Sequence, residues 1–266
     1  MKKTILITGS TDGIGLETAK VLVAKGHHVL VHGRNPSKLE GVKTMLSQLS
    51  DDADVEGFVA DLSSLKGVEA FAKAVAEKHS KLDVLINNAG VYNVPTITTA
   101  DNLDVRFVVN TIAPYLLTQK LLPLFDDSGR IVNLSSAAQS AVNLDAMVSA
   151  NAGSSDGTVY AQSKLALTMW SVHLAEQLKG KGPIVVAVNP ASFLGSKLVK
   201  EAYGVAGNDL SIGSDILCRA ALDAEFADAS GKYFDNDLGS FAPPHSDALN
   251  ADKNAKVVAA IESVIA

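Results

Sequence analysis

Tyr160 and Lys164 stand four apart in the run Tyr160-Ala161-Gln162-Ser163-Lys164, so on a helix they share one face. An ammonium beside a phenol favours the phenolate and draws its pKa down from the usual value of about 10. That moves the group toward proton transfer near neutral pH. Alone the pair is unspecific, because Tyr and Lys four apart occur by chance in many helices. Upstream, Arg130-Ile131-Val132-Asn133-Leu134 runs into Ser135-Ser136, which sets hydroxyls at the carboxyl end of a strand, where open α/β sheets bind ligands. A polar loop start is the plain alternative for either serine. Asn110 is a polar residue in an otherwise apolar helical pattern, and a satisfied core amide is its plain alternative.

A second constellation could hold phosphate. Thr8-Gly9-Ser10-Thr11-Asp12-Gly13-Ile14-Gly15 follows the first strand pattern and opens the first helix pattern. Glycines allow a tight turn and close approach of a pyrophosphate, and free N–H groups at a helix start favour its charge. The spacing is Gly-x-x-x-Gly-x-Gly, and no Gly-Lys-Ser/Thr follows, which disfavours a P-loop. The second strand ends in His32-Gly33-Arg34-Asn35-Pro36-Ser37-Lys38. An acid near this point serves NAD, whereas an arginine accommodates the 2′-phosphate of NADP. Arg34 suits phosphate as a planar permanent cation, with Lys38 one helical turn on; a solvated surface charge is the alternative.

These residues need a scaffold. Apolar Val/Ile/Leu runs without polar alternation predict strands over 4–8, 28–32, 55–59, 84–87, 130–134, 184–189 and 232–234, the pattern of strands buried on both faces. Helical patterns lie over 13–25, 36–49, 65–78, 102–122, 159–178 and 211–223. The alternation predicts an α/β fold, a doubly wound and mainly parallel Rossmann-type sheet with helices on both faces. The whole of 1–266 is expected to form one domain. Long irregular stretches at 137–157 and 191–210 read as substrate loops. The tail, with Ala255, Val258, Ile261 and Ile265 in helical register, is expected to end in a helix.

Composition sets further bounds. With 47% apolar residues and a formal charge of −6, the chain can bury a large core and carries no basic footprint for nucleic acid or anionic membrane. The single cysteine, Cys218, excludes an intramolecular disulfide or a thiolate metal cluster. The histidines at 27, 28, 32, 79, 173 and 245 show no metal-like pairing with a third ligand, and no metal is expected. The opening Met1-Lys2-Lys3 leads straight into a strand pattern, and no apolar stretch reads as a signal peptide or span; a cytoplasmic protein is the expectation.

In order, Thr8-Gly9 with Gly13-x-Gly15, Asp61-Leu62, Asn87-Asn88-Ala89-Gly90, Asn110, Ser136, Tyr160 with Lys164, and Asn189-Pro190 resemble the short-chain dehydrogenase/reductase family from Thr8 to about Ala248. Ser136 followed at length by Tyr160, and Ser230-Gly231-Lys232-Tyr233-Phe234-Asp235, look most like its retinol dehydrogenase and WW-domain oxidoreductase group. The likeness does not extend to that group's membrane anchor or WW modules, and retinoid activity is not implied. The resemblance implies an NADP(H)-dependent oxidoreductase that moves a hydride between nicotinamide and a carbonyl or alcohol. Tyr160 would be the general acid/base, and Lys164 would assist it and hold the nicotinamide ribose. Ser136 would bind the substrate oxygen, and Asn110 would support a water-linked proton relay. Asp61 and Leu62 would contact adenine, Asn88, Ala89 and Gly90 would line the adenosine side, and Pro190 would approach the nicotinamide. The family usually has glycine where this chain has Ala191. Phe193, Leu194, Leu198 and Tyr203 point to a partly apolar small-molecule substrate. Family habit implies a homodimer or homotetramer. Two other readings stand beside this one: a catalytically silent NADP-binding scaffold on the same fold, and a nucleotide-sugar epimerase or dehydratase, against which the lack of a sizeable C-terminal substrate domain argues.

Overall fold

The computed structural model describes residues 1–150, 154–196, 199–200 and 204–266. Its strands are β1 (Thr4–Ile7), β2 (His28–Gly33), β3 (Asp54–Val59), β4 (Val84–Asn87), β5 (Arg130–Leu134), β6 (Ile184–Asn189), β7 (Tyr233–Asp235) and β8 (Ser240–Ala242). They form one sheet in the order β3-β2-β1-β4-β5-β6-β7-β8. Pairing is parallel from β3 to β7, and β8 adds antiparallel to β7. The strand order reverses between β1 and β4, so their carboxyl ends open the crevice in which such sheets take ligands.

Alternation along each strand builds two cores. Leu6, Leu30, Leu85, Ile131 and Val185 lie in register across the sheet and face one cluster. Ile5, Ile7, Val29, Val31, Ile86, Val132 and Val186 face the other. Helices α1 (Gly13–Ala24), α2 (Pro36–Ser47) and α7 (Leu210–Leu222) cover the second face. The first is covered by α3 (Leu65–Lys78), α4 (residues 105–121), α6 (Asp156–Gln177) and α8 (Ala251–Ile265). Polar caps start the helices: Asp12 accepts from Gly13, Asn35 from Lys38, Ser64 from Gly67 and Ser155 from Thr158, each satisfying an N–H without an intrahelical partner.

The expected α/β architecture is present, with local differences. Burial on both faces fails for β3, where Val59 is exposed, because β3 is the sheet edge. Strand β8 is too short to show a period in the sequence. The irregular stretch at 137–157 contains the single-turn helix α5 (Leu144–Met147). In α8, Val258 and Ile261 are buried and Ile265 is half-buried as the periodicity implied, but Ala255 faces solvent, and Val257 and Asn254 are buried instead. Asn254 Nδ2 donates to the Ala248 carbonyl, so a hydrogen bond, not hydrophobicity, places that position inward. Helix α4 is not uniform: an α-helical turn, Val105–Phe107, passes into a π-helical segment, Val108–Ile112, before the α-helix Ala113–Leu121. Among the described residues no helix is long and apolar enough to cross a membrane.

Candidate active site

The glycine turn is fixed by close approach. Gly9 has φ 63°, and a Cβ there would lie 2.9 Å from Ala89 Cα. At Gly15 a Cβ would lie 2.4 Å from Asn88 Nδ2 and 2.6 Å from the Gly9 carbonyl oxygen. The turn thus packs directly on the segment after β4. Thr8 Oγ1 accepts the N–H groups of Asn88 and Ala89, each at 3.1 Å. Asn88 Nδ2 donates back to the carbonyls of Thr8 and Gly9 at 2.9 and 3.1 Å. Ser10 sits within the turn: its hydroxyl donates to Ile7 O at 2.9 Å and accepts the His32 N–H at 2.8 Å. Its side chain is fully buried and braces the turn from within.

His32 is the buried keystone of this turn. Nδ1 accepts the Gly9 N–H at 3.0 Å, which leaves the proton on Nε2 to donate to Ala60 O at 3.1 Å. Burial lowers the imidazole to about 4, so both bonds are made by the neutral ring. Among the described residues, the N–H groups of Ile14 and Gly15 at the start of α1 make no hydrogen bond. A glycine cradle that a Cβ would fill, with open helix-start donors, fits a pyrophosphate.

Arg34 is exposed beyond β2 and makes no ion pair among the described residues. Lys38 is already engaged, with Nζ 2.6 Å from Asp12 Oδ2, and Asn35 is the cap of α2. A 2′-phosphate here would meet Arg34 directly and would share Lys38 with Asp12. Asp61 is exposed, its carboxylate accepting the N–H and hydroxyl of Ser63 at 2.9 and 2.8 Å. The Leu62 side chain is buried in the core, leaving its backbone as the part available to an adenine.

The residues expected to transfer protons converge at the carboxyl ends of β4 and β5. Lys164 is buried, and its Nζ donates to the Leu134 carbonyl at 2.6 Å. Burial lowers its pKa to about 8. The ammonium lies 5.7 Å from the Tyr160 ring centroid. Gly90 leaves room above it, since a Cβ there would sit 3.6 Å from Lys164 Nζ and 3.5 Å from Asn110 Oδ1. Asn110 occupies the π-helical segment, a deviation frequent at functional sites. Its Oδ1 accepts from Val91 N–H at 2.8 Å, and its Nδ2 donates to Val91 O and Ser163 Oγ at 2.9 and 3.0 Å. Its side chain is therefore a clamp between the Val91 backbone and Ser163, with one lone pair of Oδ1 left to accept a further hydrogen bond. Ser135 and Ser136 part ways: Ser135 is buried with its hydroxyl 2.7 Å from Thr168 Oγ1, while Ser136 is half-buried and accepts from Ala138 N–H. Pro190 is buried, its carbonyl accepting from Asn236 Nδ2 at 3.0 Å. Ala191 adopts φ 114°, a conformation that favours glycine.

Several positioning residues escaped the sequence reading. Ser163, inside the Tyr-to-Lys run, donates to Tyr160 O at 2.7 Å and carries Asn110. The Tyr92 ring lies 5.1 Å from the Tyr160 ring, tilted by 51° to it. Tyr233 donates to Ser136 O at 3.1 Å. Arg106, buried, pairs with Asp104 at 2.6 Å and with Asp156, tying the start of α4 to the start of α6. Ser163 and Tyr233 lie in runs already singled out, the first between Tyr160 and Lys164, the second within Ser230–Asp235. Leu198 and Tyr203, expected near the substrate, and Asn151-Ala152-Gly153 lie outside the described residues. Of the histidines read as isolated, His28 and His79 come together beside Glu56, at the opposite end of the sheet.

The model of the family described as short chain dehydrogenase matches residues 3–203. The chain belongs to the short-chain dehydrogenase/reductase family. Human retinol dehydrogenase 13 is 31% identical over 251 residues, covering 88% of this chain and 76% of that protein, which places this dehydrogenase with the retinol dehydrogenase-like group. A solved protein from Mycobacterium paratuberculosis, described as putative and uncharacterized, is 28% identical with a TM-score of 0.81, covering 99% of this chain and 93% of that one. A metagenomic short-chain oxidoreductase solved in complex with NADP is 27% identical with a TM-score of 0.63, covering 84% and 92%.

Proposed function

We propose that this short-chain dehydrogenase/reductase is an NADP(H)-dependent oxidoreductase acting on a carbonyl/alcohol pair of partly apolar small molecules, with Tyr160 as the proton-transfer group. The observation that carries the reading is the buried Lys164 ammonium beneath the Tyr160 ring, drawn down to about 8. Arg34 at the end of β2 and the NADP-bound relative support the choice of cofactor. A bound nicotinamide would supply or accept the hydride. The glycine turn and the start of α1 would hold its pyrophosphate, and Arg34 its 2′-phosphate. Ser136, kept in place through Tyr233, orients the substrate oxygen. Tyr160 donates its proton as charge develops on that oxygen in reduction, and withdraws it in oxidation. Lys164 stabilises the phenolate that results, and the Asn110 clamp fixes the wall beside it. The same reading takes the protein as a cytoplasmic homodimer or homotetramer, which fractionation and mass measurement in solution check.

The test pairs NADPH oxidation over a carbonyl panel with NADPH fluorescence titration. Tyr160→Phe is expected to bind NADPH as the parent does and to lose about 10²–10⁴-fold in turnover. Full activity in that variant removes Tyr160 from the mechanism. A parent that binds NADPH but reduces no carbonyl favours a silent scaffold.

A further inference from the structure

At the amino end of the sheet, far from the glycine turn, two imidazoles and two carboxylates meet. His28 opens β2 opposite Asp54, and Glu56 lies two residues along β3, so the alternation of the strands turns all three side chains to the α3 face. His79 follows α3 as its C-cap and comes down onto the same spot. Nε2 of His28 lies 3.4 Å from Glu56 Oε1 and 3.4 Å from Asp54 Oδ1, and Nε2 of His79 lies 3.3 Å from Glu56 Oε1. Both Nε2 atoms are shielded from solvent and make no hydrogen bond among the described residues. The cluster comprises three potential ligand atoms, one each from His28, Glu56 and His79, all within 4.8 Å of one another.

These separations match one coordination shell. Ligand atoms at about 2.0–2.1 Å from a tetrahedral Zn²⁺ stand about 3.3 Å apart along each edge. The remaining carboxylate oxygens are held from outside: Lys78 Nζ lies 3.1 Å from Glu56 Oε2, and Lys2 Nζ lies 2.7 Å from Asp54 Oδ2. Such outer partners orient ligating carboxylates toward a metal. A set of two imidazoles and a carboxylate selects a zinc-class ion over Mg²⁺ or Ca²⁺, which prefer oxygen shells.

We propose that His28, His79 and Glu56 form a binding site for a zinc-class divalent cation, with Asp54 or water in the fourth position. An ion there cross-links the edge strand β3 and the end of α3 to β2. It sits about four strand residues, roughly 13 Å, from His32 along β2, so it clamps the sheet edge rather than joining the proton-transfer chemistry.

The experiment is calorimetric titration of the purified, chelator-stripped full chain with Zn²⁺, alongside thermal melts and Co²⁺ absorption spectra. One equivalent is expected to bind in the micromolar range or tighter, to raise the melting temperature, and to give the intense visible bands of tetrahedral Co²⁺; Mg²⁺ should do none of these. His28→Gln and His79→Gln should each weaken Zn²⁺ binding at least 10-fold, while His27→Gln, altering the neighbouring imidazole, should leave it unchanged. Should a histidine variant misfold, Glu56→Gln at a partly exposed position gives the same readout with less disturbance of packing. The proposal is overturned by a parent that binds no Zn²⁺ in this range, or by binding that survives these substitutions or is lost in His27→Gln.

Discussion

The two halves of the crevice are held in different ways. On the β1–β3 side, the glycine turn is fixed by backbone contacts, by Thr8 and Asn88, and by the neutral His32 ring, all within or directly beside the strands. On the β6 side, the segment after Pro190 is held from a distant turn. Asn189 Nδ2 donates to Asp235 and Asp237 at 2.8 and 2.9 Å, and Asp237 also accepts the N–H and hydroxyl of Ser192 at 2.8 and 2.6 Å. Burial pushes the Asp237 carboxyl up, but these hydrogen bonds more than offset it and leave it below the usual range. Ala191 and Phe193 both carry positive φ, 114° and 53°. The first half is a tight template braced by its own backbone; the second is a strained strap tied by polar side chains, and under the proposed chemistry they face the cofactor and the substrate respectively.

That contrast can be broken most sharply at His32. Its folded pKa of about 4 lies below the ordinary 6.5, so the unfolded chain binds the proton more readily. The stability due to neutral His32 is complete above about pH 6.5 and is lost as pH falls toward 4, by about 3 kcal/mol in all. Denaturant melts across that window measure it, and His32→Gln should flatten that part of the profile. Gly15→Ala forces a Cβ against Asn88 and Gly9 O. A loss of about 1–3 kcal/mol and a large drop in NADPH affinity are expected, read by thermal melts and fluorescence titration. Arg34→Ala should weaken NADPH about 10–100-fold, as for a lost hydrogen bond to a charged group, and leave NADH unchanged; equal losses for both would undo the assignment of Arg34 to the 2′-phosphate. The mildest change sharpens the other half. Ala191→Gly relieves a strained φ and should raise stability by about 1 kcal/mol, visible as a higher melting temperature.

Legibility in the sequence follows the same division. Uninterrupted Val/Ile runs announced the central strands, and the order of Gly9, Asn88, Tyr160 and Lys164 announced the crevice, because those signals are local. Ala191 was visible as a departure, although its φ was not. Asp237, Tyr233 and Arg106 were not legible, since each acts on a residue far away in the chain. His28 and His79 looked unrelated for the same reason: only the β2–β3 register and the end of α3 bring them to one point. The burial of Ser10 and Leu62 was hidden because a motif states which residues recur, not which way their side chains turn.

Lys164 carries one more consequence. A lysine whose folded pKa sits near 8 rather than 10.5 binds its proton more weakly when folded than when unfolded. Below pH 8 that difference works against folding by about 3 kcal/mol, and it fades as pH rises through 10.5. Lys164→Met should therefore melt higher near neutral pH. An engineering screen that rewards heat resistance alone would drift toward replacing this ammonium, and under the proposed chemistry its sturdiest winners would be inert.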